Sequence, residues 1–129
     1  MKGNYTMGKF VIKTTKAGVK FDLKAGNGEI IASSETYKSL ASCKNGIESV
    51  RKNSAKAEIE DLSVEGSPVV KHPKFQMYLD KAGEYRFRLR ATNGQVIAVS
   101  EGYKKKASCV NGIESIKKNA PDAEVVTAE

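Results

Sequence analysis

The stretch SETYKSLASCKNGIESVRKNSAKAE (34–58) returns as SEGYKKKASCVNGIESIKKNAPDAE (100–124), 66 residues later. Upstream, KFVIKTTKAG (9–18) returns as KFQMYLDKAG (74–83), 65 residues later, so one extra residue entered the second copy between Gly83 and Phe87. About 23 of the 41 positions from Phe21 to Asp61 are identical in the two copies. Self-similarity at a fixed period decides the architecture before any local reading. The copies run over 9–62 and 74–129, after a polar leader at 1–8. The linker between them, 63–73, contains Gly66, Pro68, Pro73 and the single histidine, His72.

Each copy reads the same way. Phe10 and Ile12, like Phe75, Met77 and Leu79, alternate with polar neighbours, which predicts a strand with one buried face. A Lys-Ala-Gly turn leads to a second strand. There Phe21, Leu23 and Ala25 alternate with Asp22 and Lys24; in the second copy Tyr85, Phe87, Leu89 and Ala91 alternate with Arg86, Arg88 and Arg90. Asn27-Gly28 and Asn93-Gly94 follow, the pair that supplies positive φ angles to a tight hairpin. Third strands are expected at 29–33 and 95–100, helices at 39–53 and 105–119, and short last strands at 57–62 and 123–128. The helical stripe is Leu40, Cys43, Ile47 and Val50, answered by Cys109, Ile113 and Ile116, with Lys106 in the leucine's place. Glu48 precedes Lys52 by four residues and Glu114 precedes Lys118 by four, the favourable order for an ion pair. Asn53 and Asn119 suit the helix ends. One copy of about 55 residues has too small a core to be comfortable alone, and two copies sharing a sheet remedy that.

The Lys-Ala-Gly turn, the F-x-L…N-G hairpin, the S-E-x-Y-K segment and the A-S-C-x-N-G-I-E-S-[VI]-x-K-N helix resemble the YegP family, small proteins of unknown function. The resemblance covers both copies. It implies an α+β fold: two tandem β-β-β-α-β repeats in one mainly antiparallel sheet, two helices on one face, and last strands swapped between repeats. It also implies that single-copy members are homodimers, so that this chain is a monomeric covalent pseudo-dimer. The first copy departs in having Val19-Lys20 where the second has Glu84-Tyr85-Arg86, which reads as a shorter strand or a lost bulge. No catalytic residues come with the resemblance.

The 129 residues are 40% hydrophobic and 29% charged, with mean hydropathy −0.45, a globular composition. No apolar run reaches the ~18 residues of a membrane span, and residues 1–13 lack a signal-peptide core. A cytoplasmic protein with free thiols is therefore expected, and the sequon at Asn4 is taken as chance. The net charge is +7; each copy has ten basic and seven acidic residues, so the excess is not a tail.

No motif names a reaction, and neither a cofactor nor a metal is expected. Two cysteines and one histidine fall short of a zinc set. Neither glycine-rich phosphate motif is present. Cys43 and Cys109 lie on the buried stripe with no histidine recurring beside them. They read as small hydrophobes, with a redox pair as the competing reading. Gly46 and Gly112 fall on the buried side beside Ile47 and Ile113, where a glycine lets the helix approach the sheet. Tyr37 and Tyr103 are placed at the core edge. Lys104, Lys105 and Lys106 oppose the macrodipole at a helix start, which suits either an anion or a solvated loop. The most informative surface is Arg86, Arg88 and Arg90 on one strand face, with Lys20, Asp22 and Lys24 as weaker counterparts. Such a face suits phosphate contacts, with Tyr78 as the one candidate for stacking a base; the competing reading is ordinary strand solvation. The function read from the chain is a non-enzymatic binding or interaction domain, its partner unspecified. The alternative is a weak, non-specific nucleic-acid or anion binder, and nothing points to a membrane.

Overall fold

The computed structural model describes residues 8–128; the leader at 1–7, with its sequon at Asn4, and Glu129 lie outside them. The strands are β1 (Lys9–Thr15), β2 (Gly18–Lys24), β3 (Ile30–Ser33), β4 (Glu58–Asp61), β5 (Lys74–Leu79), β6 (Tyr85–Arg90), β7 (Val96–Val99) and β8 (Glu124–Thr127). The helices are α1 (Leu40–Lys56) and α2 (Lys106–Asn119), the latter followed by a 3₁₀ turn at Ala120–Asp122. All eight strands form one sheet in the order β4-β5-β6-β7-β3-β2-β1-β8. The repeats meet where Ser33 on β3 pairs with Val99 on β7. Both edges are parallel, β4 on β5 and β1 on β8, and every other pairing is antiparallel. Each repeat thus gives its last strand to the other repeat's edge, the swap that the family resemblance implies.

Period-two alternation buries Phe10, Ile12, Phe21 and Leu23 in one half and Phe75, Met77, Phe87 and Leu89 in the other, each at most 2% exposed. Full burial of one such side chain contributes about 1.5–3 kcal/mol. The phenylalanines pair edge to face, Phe10 with Phe21 at 5.6 Å and Phe75 with Phe87 at 5.9 Å. The helices cover this face. Cys43, Gly46, Ile47 and Val50 of α1, and Cys109, Gly112, Ile113 and Ile116 of α2, are buried. Leu40 does not join them: it is 48% exposed in the first turn, where α1 has yet to reach the sheet. α1 also runs three residues past Asn53, to Lys56, whereas Pro121 turns the equivalent segment of the second repeat into the 3₁₀ turn.

The Asn-Gly hairpins differ from a two-residue loop. Only the glycines take positive φ, 89° at Gly28 and 88° at Gly94. Gly28 N–H bonds the Ala25 carbonyl at 2.9 Å and Ala25 N–H bonds the Glu29 carbonyl at 2.9 Å. That is a three-residue loop with a bulge at the glycine. Asn27 and Asn93 act through their side chains, accepting the Glu29 and Gln95 N–H at 3.0 Å.

The inserted residue of the second repeat does not lengthen its strand. β2 has seven residues and β6 has six. Instead it widens the preceding turn. Thr15 pairs directly with Gly18 in the first repeat, but Leu79 pairs with Tyr85 in the second. Asp80 organises the wider loop by accepting the Ala82 and Glu84 N–H groups, both at 2.9 Å.

Gly46 and Gly112 make room for tyrosines rather than for the sheet itself. A Cβ on Gly46 would overlap the Tyr37 hydroxyl, and one on Gly112 would come within 2.5 Å of the Tyr103 hydroxyl. Each tyrosine lies nearly parallel to a core phenylalanine, Tyr37 on Phe21 and Tyr103 on Phe87. The helix, the tyrosine and the second strand therefore form one stack in each half.

Candidate binding surface

The pairing registers define the face that the helices leave open. One row crosses all eight strands: Glu60, Gln76, Arg88, Val99, Ser33, Asp22, Val11 and Val126. Cationic rows flank it. Lys9 pairs with Lys24 and Lys13 with Lys20 in the first half; Lys74 pairs with Arg90, and Tyr78 with Arg86, in the second. With Arg88, eight Lys or Arg side chains stand on this face against the carboxylates of Asp22, Glu58, Glu60 and Glu124, and against Asp80, which reaches Arg86 from the end of β5.

The predicted arginines are there, half-buried and partly engaged. Arg86 is bound by Asp80 at 2.6 Å, and this bond and charge raise its pKa while lowering that of Asp80. The Arg88 and Arg90 Nε groups both donate to Gln76 Oε1, at 2.8 and 2.6 Å. Arg90 also reaches the Gly94 carbonyl at 2.8 Å. The Arg88 guanidinium lies 4.5 Å over the Tyr78 ring, so that ring face is already covered and is not free to stack a base. Among the described residues, neither Arg88 nor Arg90 meets a carboxylate, and Lys24 has no ion pair.

The other predicted cations belong elsewhere. Lys104 and Lys105 are exposed on the loop into α2, in the helix layer. Lys106 is bound by Asp61 of the swapped strand at 2.8 Å and lies 6.0 Å over Tyr85. The Glu48–Lys52 and Glu114–Lys118 pairs are not closed: Glu48 turns to Arg51 at 3.2 Å. Arg51 also reaches across to the Ala120, Pro121 and Ala123 carbonyls, tying α1 to the end of the second repeat.

A buried polar network under the arginines escapes a reading of the sequence. Glu60, 3% exposed, accepts from Lys74 Nζ at 2.9 Å, Gln76 Nε2 at 2.6 Å and the Val70 N–H at 2.8 Å. Burial alone would raise its pKa; these bonds and the Lys74 charge outweigh it and hold the carboxyl at about 2. The linker closes over this corner through Val70, and His72 stands beside Gly94. The one available signal was a double change at paired positions: Gln76 and Glu60 replace Val11 and Val126 of the other half. In the first half the buried charge of this row lies one strand in from Val11, at Asp22, the counterpart of Arg88. Asp22 meets Lys13 at 2.5 Å and Ser33 at 2.7 Å. Burial works to raise its pKa, and these contacts lower it on balance.

Cys43 and Cys109 are fully buried. Burial pushes both thiols up, Cys109 to about 11, so little nucleophilic thiolate exists near neutral pH. Among the described residues no group of three or more His, Cys, Asp and Glu side chains could hold a metal. No described helix is long and apolar enough to cross a membrane.

A strand-swapped pair of β-β-β-α-β units with one open, basic sheet face is the class of protein that these features define. The chain matches the model of the domain of unknown function DUF1508 twice, over residues 16–61 and 80–126, and it belongs to that family. A UPF0339 protein of Pseudomonas aeruginosa is 40% identical over 116 residues, which cover 89% of this chain and 92% of that one. A UPF0339 protein of Methanosarcina acetivorans is 59% identical over 56 residues, 43% of this chain but 97% of that one, so its length is a single repeat. The solution structure of YegP from Escherichia coli, a protein of unknown function, superposes with a TM-score of 0.76 at 31% identity. That match covers 95% of this chain and 94% of YegP. The family is YegP-like and of unknown function, and none of these relatives carries an enzyme's name.

Proposed function

We propose that the protein is a non-enzymatic binding domain whose open sheet face holds an acidic partner. The observation that carries this reading is the gathering of eight cations on that face against five carboxylates, Asp80 among them. Arg88 and Arg90 share a single neutral oxygen and, among the described residues, meet no carboxylate, so both guanidinium charges stay unneutralised. Such a surface favours polyanions through charge, with little selectivity for sequence. Nucleic acid is the leading polyanion, held through phosphates rather than stacked bases, because Arg88 covers Tyr78. The non-enzymatic part of the reading rests on the two thiols being buried and pushed up.

Fluorescence anisotropy with a labelled single-stranded RNA, a DNA duplex and polyglutamate, at low and physiological salt, tests it. Binding at low salt should weaken as salt rises, and Arg88→Ala or Arg90→Ala should each lower the salt slope by about one. Failure of all three probes to bind at low salt overturns the reading.

A further inference from the structure

The duplication shows which residues outside the core the fold leaves free to change. Two stripes run along the outer side of α1, each with the i, i+4 recurrence of one helix face. Leu40, Lys44, Arg51 and Ala55 became Lys106, Val110, Lys117 and Pro121, a change at every position. Ala41, Asn45, Glu48 and Lys52 remain Ala107, Asn111, Glu114 and Lys118, and only at the helix end does the stripe change, from Lys56 to Asp122. All eight residues of the kept stripe are exposed, so core packing does not account for them. Ion pairing within the stripe does not either: among the described residues Glu48 meets Arg51, which lies outside the stripe, and Lys52, Glu114 and Lys118 have no ion-pair partner. Helix propensity argues against Asn45 and Asn111, since asparagine is a poor interior residue.

What the two copies of the kept stripe share is a cleft. Asn111, Glu114 and Lys118 face the Ala25–Asn27 hairpin across about 520 Å³. Asn45, Glu48 and Lys52 face the Ala91–Asn93 hairpin across about 350 Å³. Each cleft takes its helix from one repeat and its hairpin from the other. Asn53 fastens the smaller one by accepting the Thr92 N–H and hydroxyl at 3.2 and 3.0 Å. Each cleft sets one lysine against one glutamate, and Asp122 adds a carboxylate to the larger. Neither cleft carries the positive excess that a polyanion needs, and neither is lined by an aromatic, Cys or His side chain. The lining instead complements a ligand bearing one charge of each sign.

We infer that these clefts are twin sites for a small zwitterion of the short-peptide class, bound twice per chain. The ligand's carboxylate meets Lys52 or Lys118; its ammonium meets Glu114 in the larger cleft and displaces Arg51 from Glu48 in the smaller. Side chains four apart on a helix stand roughly 6 Å apart, and two extended residues span about 7 Å, so a dipeptide matches the spacing.

This inference is independent of the sheet face and is tested with alanylalanine, followed by NMR of the backbone amides. Amides of residues 45–52 and 111–118 should shift together, with a stoichiometry of two. Blocking both peptide ends, as the N-acetyl amide, should weaken binding about tenfold or more, since both charge-assisted contacts are lost. Lys52→Ala should silence the α1 set and leave the α2 set responding, which also shows that the variant is folded. No response, a response at one helix alone, or equal binding of the blocked peptide overturns the proposal. Shifts confined to Lys24, Arg88 and Arg90 also overturn it and support the sheet-face reading instead.

Discussion

At equivalent edges of the sheet, the two repeats solve one packing problem in opposite ways. In the first half Val11 pairs with Val126; in the second, Gln76 pairs with Glu60. The apolar edge needs no partners. The polar edge requires Lys74, Gln76 and the Val70 backbone, and the linker supplies the last of these. The lesson is that the burial of Glu60 follows the segment that covers it, which its strand pattern does not reveal. The 63–73 linker runs directly into β5 and covers only that edge.

The largest way to break the comparison is to remove its charged centre. Glu60→Ala leaves Lys74 buried without its carboxylate, a loss of about 3–5 kcal/mol. Val126→Ala at the other edge should cost only about 1 kcal/mol, because Val126 is half-buried. Urea unfolding of the two variants reads the difference. If both cost the same, the halves are energetically equivalent.

Acid titration sharpens it next. The Glu60 carboxyl is held at about 2 against an ordinary value of 4.5. Its contribution is complete above about pH 4.5 and is lost as the pH falls towards 2, a change of about 3 kcal/mol. Glu60→Gln should be flatter than the parent across that window, whereas Val126→Ala should follow the parent.

Gly46→Ala should cost about 2 kcal/mol by overpacking, through its clash with the Tyr37 hydroxyl. Adding Tyr37→Phe should return part of that loss. Gly112→Ala with Tyr103→Phe should recover more, because the ring carbon that remains lies 3.0 Å from the added carbon there and 2.6 Å from it at Gly46. Thermal melts of the four variants decide this.

The smallest difference is at the helix starts. Ser39 caps α1 by accepting the Ser42 N–H at 3.1 Å, and Lys105 offers α2 no side-chain cap. Lys105→Ser should stabilise by about 1 kcal/mol, and Ser39→Ala should destabilise by a similar amount.

Local pattern was enough for the strands, the helices and the duplication, because alternation and helical spacing are written in neighbouring residues. The open basic strand was equally legible, since Arg86, Arg88 and Arg90 must share a face. What sets their chemistry was not. Glu60 reads as an ordinary edge residue until Val70, ten positions away, is folded over it. Tyr78 reads as an available ring until Arg88, from the next strand, settles on it. Leu40 fits the helical stripe perfectly and is still exposed, since a stripe does not say where its first turn meets the sheet. The inserted residue looked like a change of strand because sequence alignment cannot distinguish a strand end from a turn.

The exchange of β4 and β8 has a further consequence. Each half-chain completes the other's sheet, so the covalent link between them is not what closes the fold. A chain cut within 63–67 should stay assembled as two interlocked pieces, as two links of a chain stay joined when the string tying them is cut. A symmetric dimer of one repeat must use the same edge residue twice. Joined in tandem, the two edges became separately editable, and one could turn charged while the other stayed apolar.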